Sequence, residues 1–426
     1  MTGSRGPLVI MVTSRFPYGN GEQFIESELP VWADSDMELL ILPEKNDTPR
    51  VAPRTVPEGI TVDSRLTGRW TSPRWRALGA LESIISGVLP RDLMTLAHRH
   101  QLDRAHLMFS VRTAVQVSVV RRMLRTLAAE RGPADVVYAY WLGPSAAAAA
   151  LERRAGHVRH AVARTHNADV YEERHPLRYH PVVRQISGDL DLLLPISQDG
   201  GAHAVELYGF PPSHVHVSRL GVTVPDPTER CQATPQGEFA VLSVSTMTPF
   251  KRLDLLIRAI AELHDLRPDL AITWRHAGTG PLREDLVRLA EQELVARGVT
   301  VDWMGQLPNE VLLEWYRNNP VDVLLNTSSS EGVPVSMMEA MARGVPTIGT
   351  DVGGVREILL DDWLMDPDPT AAEVARFIAD RVGRAKDPRV RAAMSDRIHQ
   401  EYDSTANFHA LTGLLRDLAL GDRQHS

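Results

Sequence analysis

Two glutamates and the loop between them are the residues of this sequence best suited to chemistry. Glu331 follows three serines, and Glu339 comes eight residues later within apolar residues at helical spacing. Eight residues are a little over two helical turns, so Glu339 can share a face with the helix start. Carboxylates accept hydrogen bonds from sugar or ribose hydroxyls, and unpaired amides at a helix start suit phosphate. One loop can therefore hold both halves of a sugar nucleotide, although an ordinary strand–helix unit explains the spacing equally well.

The surrounding pattern predicts a strand, a polar loop, a helix and a second strand. Apolar residues 321–325 predict the first strand, and residues 336–343 predict the helix, which should end at Gly344. Residues 345–349 predict the next strand. The loop then lies at the carboxyl end of a strand, where open parallel sheets bind ligands.

This segment resembles the signature of retaining glycosyltransferases of family 4, which have the GT-B fold. The twelve matching residues, in order, are Glu331, Gly332, Pro334, Glu339, Ala340, Ala342, Gly344, Pro346, Asp351, Gly353, Gly354 and Glu357. The resemblance implies that Glu331 contacts the hydroxyls of a donor sugar and that Glu339 holds the nucleotide ribose. It also implies that the loop meets the diphosphate or sugar through Gly332, Val333, Pro334, Val335 and Ser336.

A basic residue elsewhere in the second half can add charge to the same site. Lys251 stands near the start of a predicted helix, where it can face a phosphate. Family members grip the diphosphate with an arginine and a lysine, but Thr246 occupies the arginine position here. Either the adjacent Arg252 compensates or the phosphate is held with less charge. The resemblance also implies that loops containing Gly278 and Leu307 run beside the nucleotide.

The first half of the chain offers a second group of candidates. Gly19, Gly21 and Glu22 form a glycine turn after the first predicted strand, which predicts an acceptor-side loop or a plain strand–helix turn. His166 follows a later strand, and family members carry a histidine there that lines the cleft. We therefore expect His166, Glu331 and Lys251 to be the catalytic residues. Tyr171 and Arg174 are weaker acceptor-side candidates.

The length of 426 residues exceeds what one hydrophobic core usually holds and predicts two domains. The resemblance implies an α/β GT-B architecture of two Rossmann-like, doubly wound domains facing a cleft. We expect an acceptor-side domain over 1–224, to which a C-terminal helix (405–426) returns. A Pro- and Thr-rich linker over 225–237 and a nucleotide-sugar domain over 238–404 should complete the chain.

Charge and composition exclude several classes. A net charge of −8 argues against nonspecific nucleic-acid binding. A single cysteine, Cys231, allows no internal disulfide, and the sequence has no signal-peptide core or spanning apolar run, so we expect a cytoplasmic protein. Two D-x-D triplets, at 189–191 and 366–368, match a metal motif of another glycosyltransferase fold, but chance explains them better. We expect no metal and no other cofactor.

The acceptor is left open between several classes. The first half resembles capsule, exopolysaccharide and colanic-acid glycosyltransferases, whereas Arg- and Ala-rich composition is typical of organisms that use such folds in antibiotic biosynthesis. A lincosamide-type enzyme of that kind would act on a small soluble acceptor, for example a thiol. Basic residues and tryptophans in 65–90 predict peripheral membrane contact or an exposed helical excursion. A sugar-nucleotide epimerase and a non-catalytic sugar-nucleotide-binding subunit are the alternatives from other classes.

Overall fold

The computed structural model describes residues 6–19, 22, 24–46 and 52–421. The chain divides into two compact units. The first comprises residues up to Arg219 together with the chain from Phe408 onwards, and the second comprises Leu220–Asn407. Each unit is built on its own parallel sheet of six strands among the described residues.

The first sheet has the strand order β3-β2-β1-β4-β5-β6. Its strands are β1 (Leu8–Thr13), β2 (Glu38–Pro43), β3 (Thr61–Val62), β4 (Ala134–Ala139), β5 (Val158–Thr165) and β6 (Leu192–Pro195). Nearly every residue of β1, β2 and β4 is buried, as expected for strands covered by helices on both faces. The order reverses between β1 and β4, and this is the switch point where such sheets open a crevice.

Helices cover both faces of this sheet. They are α1 (Phe24–Ala33), α2 (Arg65–Thr71), α3 (Pro73–Ile85), α4 (Val88–His98), α5 (Arg104–Arg131), α6 (Pro144–Arg154) and α7 (Gln198–His203). The sequence did not predict the 28-residue α5. The apolar spacing of residues 77–89 predicts one helix, but these residues belong to two helices that meet at Gly87, whose φ is +75°. Residues 215–217 resemble a short strand in sequence, but Val215 makes only an isolated bridge to Leu193.

The second sheet repeats the topology of the first. Its order is β12-β11-β10-β7-β8-β9, with the switch point between β7 and β10. The strands are β7 (Glu238–Val244), β8 (Ala271–Ala277), β9 (Thr300–Gly305), β10 (Val323–Asn326), β11 (Thr347–Thr350) and β12 (Leu364–Met365). Residues 239–244 and 271–277 predict two strands, and these agree with β7 and β8 to within one residue.

The helices of the second unit follow its strands. They are α8 (Leu253–Leu266), α9 (Arg283–Glu293), α10 (Asn309–Asn318), α11 (Val335–Ala342), α12 (Val355–Ile358), α13 (Ala371–Ala379), α14 (Val382–Ala385) and α15 (Pro388–Glu401). The last helix, α16 (Ser404–Gly421), packs Leu411, Leu415 and Ala419 into a core cluster of the first unit.

The segment expected to be a linker belongs to the second unit. The amide of Cys231 donates to the carbonyl of Arg343, and the hydroxyl of Thr234 donates to Asp322 at 2.6 Å. The Arg391 guanidinium donates to the Cys231 carbonyl at 2.8 Å, and Cys231 itself is buried. These bonds fix residues 231–234 on the second unit because they satisfy buried polar groups.

Candidate functional site

Glu331 is the centre of a hydrogen-bonded cluster at the switch point of the second sheet. Its Oε1 accepts from Lys251 Nζ at 2.5 Å, from Asn326 Nδ2 at 3.0 Å and from Ser328 Oγ at 2.6 Å. Asn326 ends β10, and Ser328 lies two residues further along the loop. All three bonds reach the same oxygen, so Oε2 keeps its capacity to accept from a ligand hydroxyl.

Lys251 and Arg252 are adjacent in the loop between β7 and α8 but make different contacts. Lys251 ends a short 3-10 turn (Pro249–Lys251), and its ammonium pairs with Glu331. Arg252 has a left-handed backbone, with φ of +47°. Its guanidinium donates to the carbonyls of Thr327 at 2.6 Å and Pro367 at 2.8 Å. Arg252 therefore fastens two loops together.

The helix α11 begins directly after the Glu331 loop. Gly332, Val333 and Pro334 are buried, whereas Val335 at the helix start is exposed. The hydroxyl of Ser336 donates to the carbonyl of Val244 at the end of β7, at 3.3 Å. The first turn of α11 is thereby held beside the end of β7, and its amides present the positive end of a helix dipole at the switch point.

Glu339 lies on α11 and is only 7% exposed. Burial raises the pKa of its carboxyl group, while a hydrogen bond with the Asn309 side chain and the charge of Arg343 act in the opposite direction. Asn309 is the first residue of α10, immediately after the loop that follows β9. Glu339 therefore faces the start of α10.

Gly353 and Gly354 pack closely against the backbone of the Glu331 loop. A Cβ on Gly353 would lie 2.0 Å from the carbonyl oxygen of Glu331, and one on Gly354 would lie 2.6 Å from that of Gly332. The amide of Gly354 donates to the Gly332 carbonyl at 2.9 Å. Only glycine allows the two backbones to approach so closely.

The loops after β7, β8 and β9 are joined by their backbones. Gly278 has a φ of +147°, and a Cβ there would overlap the Ser245 carbonyl at 1.8 Å. Its amide donates to the carbonyl of Gly305 at 2.8 Å. Thr246 is exposed beside this junction, and Leu307 is half-buried just beyond it. The predicted nucleotide-side residues Gly278, Thr246 and Leu307 thus lie on adjoining loops at one edge of the sheet.

A buried histidine, His276, lies on β8 just before these loops and contacts β7. His276 is fully buried on β8, and its Nδ1 lies 2.8 Å from Ser243 Oγ. Burial lowers the pKa of His276 to about 4, so the ring is neutral at physiological pH. Trp274 donates its indole N–H to the same Ser243 hydroxyl, at 3.0 Å.

Among the candidate residues of the first unit, Glu22 and Gly19 belong to the loop between β1 and α1. Glu22 has a φ of +54°, and its carboxylate accepts from the amides of Ser14, Arg15 and Phe16 and from the Trp141 indole, at 2.6–2.9 Å. It therefore organises the loop after β1. Gly19 accepts through its carbonyl from Arg54 at 3.1 Å, and Gly21 lies outside the described residues.

His166 is packed among aromatic rings. Its ring centroid lies 4.4 Å from that of Trp141 and 5.4 Å from those of Phe24 and Tyr140. Tyr171 is buried, and its hydroxyl donates to Asp199. Arg174 is half-buried at the end of a 3-10 turn. His166 and Tyr171 are in the first unit, whereas Lys251 and Glu331 are in the second.

Three of the four D-x-D aspartates form ion pairs with arginines. Asp189 and Asp191 pair with Arg154 and Arg153 at 2.7 and 2.6 Å, and Asp368 pairs with Arg252. In the described part of the chain, no three His, Cys, Asp or Glu side chains are grouped so that they could hold a metal ion.

Sequence reasoning missed Asn326, Ser328 and Asn309. The first two follow the end of a predicted strand, where polar side chains face the crevice, and this position was their available signal. The Asn309–Glu339 contact joins residues 30 positions apart on different helices, so no local pattern indicates it.

Comparison with known proteins agrees with this geometry. Residues 238–380 match the family model described as Glycosyl transferases group 1. WcaL of Salmonella typhimurium, provisionally named a colanic acid biosynthesis glycosyltransferase, is 33% identical over 160 residues, which are 37% of this chain and 38% of that protein. D-inositol 3-phosphate glycosyltransferase of Thermomonospora curvata is 27% identical over 57% of this chain and 60% of that protein. The chain thus matches between two fifths and three fifths of these relatives' length.

Solved structures extend the likeness to the whole chain at the level of the fold. Sucrose-phosphate synthase from Thermosynechococcus elongatus superposes with a TM-score of 0.68 at 15% identity, covering 98% of this chain and 100% of that one. The lipopolysaccharide outer core galactosyltransferase WaaB gives 0.64 at 15% identity, covering 98% and 99%. Anabaena HepE, solved with UDP-glucose, gives 0.58 at 14% identity, covering 96% and 99%.

These findings define a two-domain α/β protein with the GT-B fold. Its second unit is similar to group 1 glycosyl transferases over residues 238–380, and the expected GT-B fold is confirmed. None of the helices in the described ranges is long and apolar enough to cross a bilayer.

Proposed function

We propose that the chain is a metal-independent, retaining glycosyltransferase that moves a sugar from a UDP- or GDP-linked donor to an acceptor. The observation that carries the proposal is the convergence of Lys251, Glu331 and the start of α11 at the switch point of the second sheet. Glu331 Oε2 can accept from a donor hydroxyl, while the ammonium and the helix amides face the diphosphate. HepE was solved with UDP-glucose and the WcaL relative is named for colanic acid biosynthesis, and both support this assignment.

The proposed reaction needs the leaving diphosphate to be stabilised as the sugar–oxygen bond breaks. Lys251 and the dipole of α11 supply positive potential there, so these groups can replace a metal ion. The acceptor attacks the anomeric carbon from the face that the diphosphate leaves, and a departing phosphate oxygen takes its proton. Retention of configuration follows from this front-face path.

Glu339 is assigned to the ribose of the donor. It is held between Asn309 and Arg343 and accepts hydrogen bonds through a carboxyl group shielded from solvent. Little water can reach the Glu339 carboxyl group, so hydrogen bonds from the ribose hydroxyls to it would be strong. His166 is kept as a candidate at the reacting centre.

Calorimetric titration with UDP, GDP, ADP and dTDP, without metal and then with magnesium, tests the donor site. We expect one nucleotide to bind at micromolar strength without metal and Glu339→Ala to abolish that binding. Glu310→Ala is the matched control, because it removes an exposed carboxylate one residue from Asn309. Binding that requires magnesium, or that survives Glu339→Ala, would refute the assignment.

We further propose that the first unit contacts the cytoplasmic face of a membrane, which suits a lipid-linked acceptor. Seven exposed large apolar residues of the described first unit fall within 28 positions on α3, α4, the following loop and α5: Leu81, Ile84, Ile85, Met94, Leu102, Leu107 and Met108. The tryptophans that suggested this segment contribute less, since Trp70 packs on the core and Trp75 lies under the Arg69 guanidinium. Exposed apolar residues concentrated in this way mark an interaction surface.

Sedimentation with phosphatidylcholine vesicles, with and without phosphatidylglycerol, tests this contact. The double variant Ile84→Gln/Ile85→Gln should lower vesicle binding by at least about tenfold, because each side chain loses ~1.5–3 kcal/mol of burial. The control, Leu266→Gln/Val295→Gln, removes two similarly exposed side chains of the second unit. Absence of vesicle binding would favour the alternative acceptor, a small soluble molecule such as a thiol in antibiotic biosynthesis. Nucleotide binding without any transfer would favour the non-catalytic subunit.

A further inference from the structure

The first unit contains a cavity of about 630 Å³ that no sequence motif indicated as a whole. It lies at the carboxyl ends of β1, β2 and β4, where the strand order of the first sheet reverses. The start of α6 closes one side of it through Gly143, Pro144 and Ser145. A cavity of this size accommodates a small molecule.

One face of α5 forms another wall. Phe109, Arg112, Thr113 and Gln116 all line the cavity and are spaced three, four and seven residues from the first, so they share a helix face. Gln116 donates to Glu44 Oε2 at 2.5 Å, which ties this face to the end of β2. The wall is therefore rigid and polar at its inner end.

The acidic groups around the cavity are occupied by donors of the fold. Glu22 accepts three backbone amides and an indole N–H, as described above. Asp169 accepts the amides of Leu142 and His166 at 2.9 and 2.7 Å. Glu44 accepts from Gln116 and from the Ser145 hydroxyl. Their charge is thus directed into the loops that they stabilise.

Three cationic side chains line the cavity: Arg15, Lys45 and Arg112. Arg15 has a partner within the chain. Lys45 follows Glu44 at the end of β2 and is half-buried, and Arg112 on α5 is exposed. Neither ammonium nor guanidinium makes an ion pair or hydrogen bond with the described residues. Burial raises the pKa of the Glu44 carboxyl group, and the charge of Lys45 acts against that rise. Both cations line the same cavity, so a ligand with a negative group would give each of them a hydrogen-bonded partner.

Flat side chains complete the cavity. Trp141 lines it from the end of β4, and the ring of Phe109 stacks on His175 with centroids 4.5 Å apart. His180 also lines it, is 9% exposed, and has no hydrogen-bond partner for Nε2 in the described chain. Aromatic faces favour a ring, and an unpartnered nitrogen favours a polar group on it.

We infer that this cavity binds the acceptor and that the acceptor is a ring bearing a phosphate or carboxylate, held by Lys45 and Arg112. The inference rests on the proposed glycosyltransferase function and assigns the acceptor class. The two cations fix the anionic group, the aromatic walls take the ring, and a hydroxyl or thiol of the same molecule is the attacking group.

Binding of four probes to the full chain tests the inference. myo-Inositol 1-phosphate is compared with myo-inositol, and glucuronate with glucose, with the nucleotide identified above present at saturation. We expect at least one anionic probe to bind about tenfold or more tightly than its neutral counterpart, and the two pairs separate phosphate from carboxylate. Lys45→Gln and Arg112→Gln should each weaken that probe by about tenfold, as loss of a charge-assisted hydrogen bond does.

Arg104→Gln is the matched control, since Arg104 is an exposed arginine on the same helix outside the cavity. The inference is overturned if neither anionic probe binds better than its neutral counterpart. It is also overturned if Lys45→Gln and Arg112→Gln have no larger effect than Arg104→Gln. Nucleotide binding to the unmodified chain is measured separately. If the chain binds a nucleotide and either of these results is found, only the acceptor class is rejected. If the unmodified chain binds no nucleotide, the proposed function is rejected.

Discussion

Gly353→Ala should damage the donor site more than it damages the fold. Gly353 has a φ of +53°, and a Cβ there would lie 2.0 Å from the carbonyl oxygen of Glu331. Cβ contacts shorter than 3.0 Å essentially do not occur, so the two backbones must separate by 3.0 − 2.0 = 1.0 Å. The opposing atom is backbone, so rotation of a side chain cannot relieve the overlap.

Two costs follow from this geometry. The left-handed backbone costs an alanine about 1–2 kcal/mol, which lowers the free energy of unfolding. The displacement of about 1 Å moves the Glu331 carboxylate relative to Lys251 and the start of α11. A misplacement of that size in a reacting site reduces activity by roughly 10²-fold.

Gly298→Ala separates the two costs. Gly298 lies in the same unit with a φ of +88°, and a Cβ there would meet nothing within 4 Å. Both variants should lose about 1–2 kcal/mol in urea unfolding, but only Gly353→Ala should lose transfer activity and nucleotide affinity in calorimetry. If Gly353→Ala kept the activity and affinity of Gly298→Ala, the close approach would have no role in placing Glu331.

Two further predictions concern stability. In the first unit, Glu28 and Arg164 are fully buried and 3.4 Å apart, so Glu28→Gln should lower the free energy of unfolding by about 3–5 kcal/mol. Glu130→Gln removes a carboxylate from an exposed pair with Arg65 and should have a much smaller effect, so similar losses of both variants in urea unfolding would contradict this reasoning. In the second unit, burial lowers the pKa of His276 to about 4, so the unfolded chain takes up this proton first, near pH 6.5. His276 should therefore not affect stability above about pH 7, and the free energy of unfolding should fall between pH 6.5 and 4 by up to ~1.4 kcal/mol per pH unit. His276→Asn should remove this pH dependence, and an unchanged slope in that variant would disprove the reasoning.

The second half of the fold was largely predictable because its strands and helices are short and bounded by clear signals. Apolar runs gave β7 and β8 to within a residue, and Gly344 marked the helix end correctly. The 28-residue α5 was missed because its middle is buried on many sides, with Val117, Ser118, Val119 and Val120 all buried in succession. A helix enclosed in this way does not show a one-sided apolar stripe.

The candidate site was predictable in its members and not in its contacts. Glu331, Lys251 and the start of α11 meet as the motif indicated. Compensation for Thr246 by Arg252 at a phosphate stays a prediction, and the Arg252 guanidinium donates to the loop carbonyls of Thr327 and Pro367. A basic residue next to a phosphate loop has the same sequence signal whether it binds the ligand or the loop, and only the path of the neighbouring chain decides between them.

The two sheets have the same strand order, and the side chains at their switch points decide what each can bind. Each crevice contains a glutamate that accepts from a serine and from an amide side chain: Glu44 in the first unit and Glu331 in the second. In the second unit, Lys251 also bonds to that glutamate, so an arriving diphosphate shares a cation already held in place. In the first, Lys45 follows the glutamate and lines the cavity, and its charge acts on that carboxyl group without a hydrogen bond to it. The same strand order thus places a hydrogen-bonded lysine beside the glutamate in one unit and a lysine without such a bond in the other.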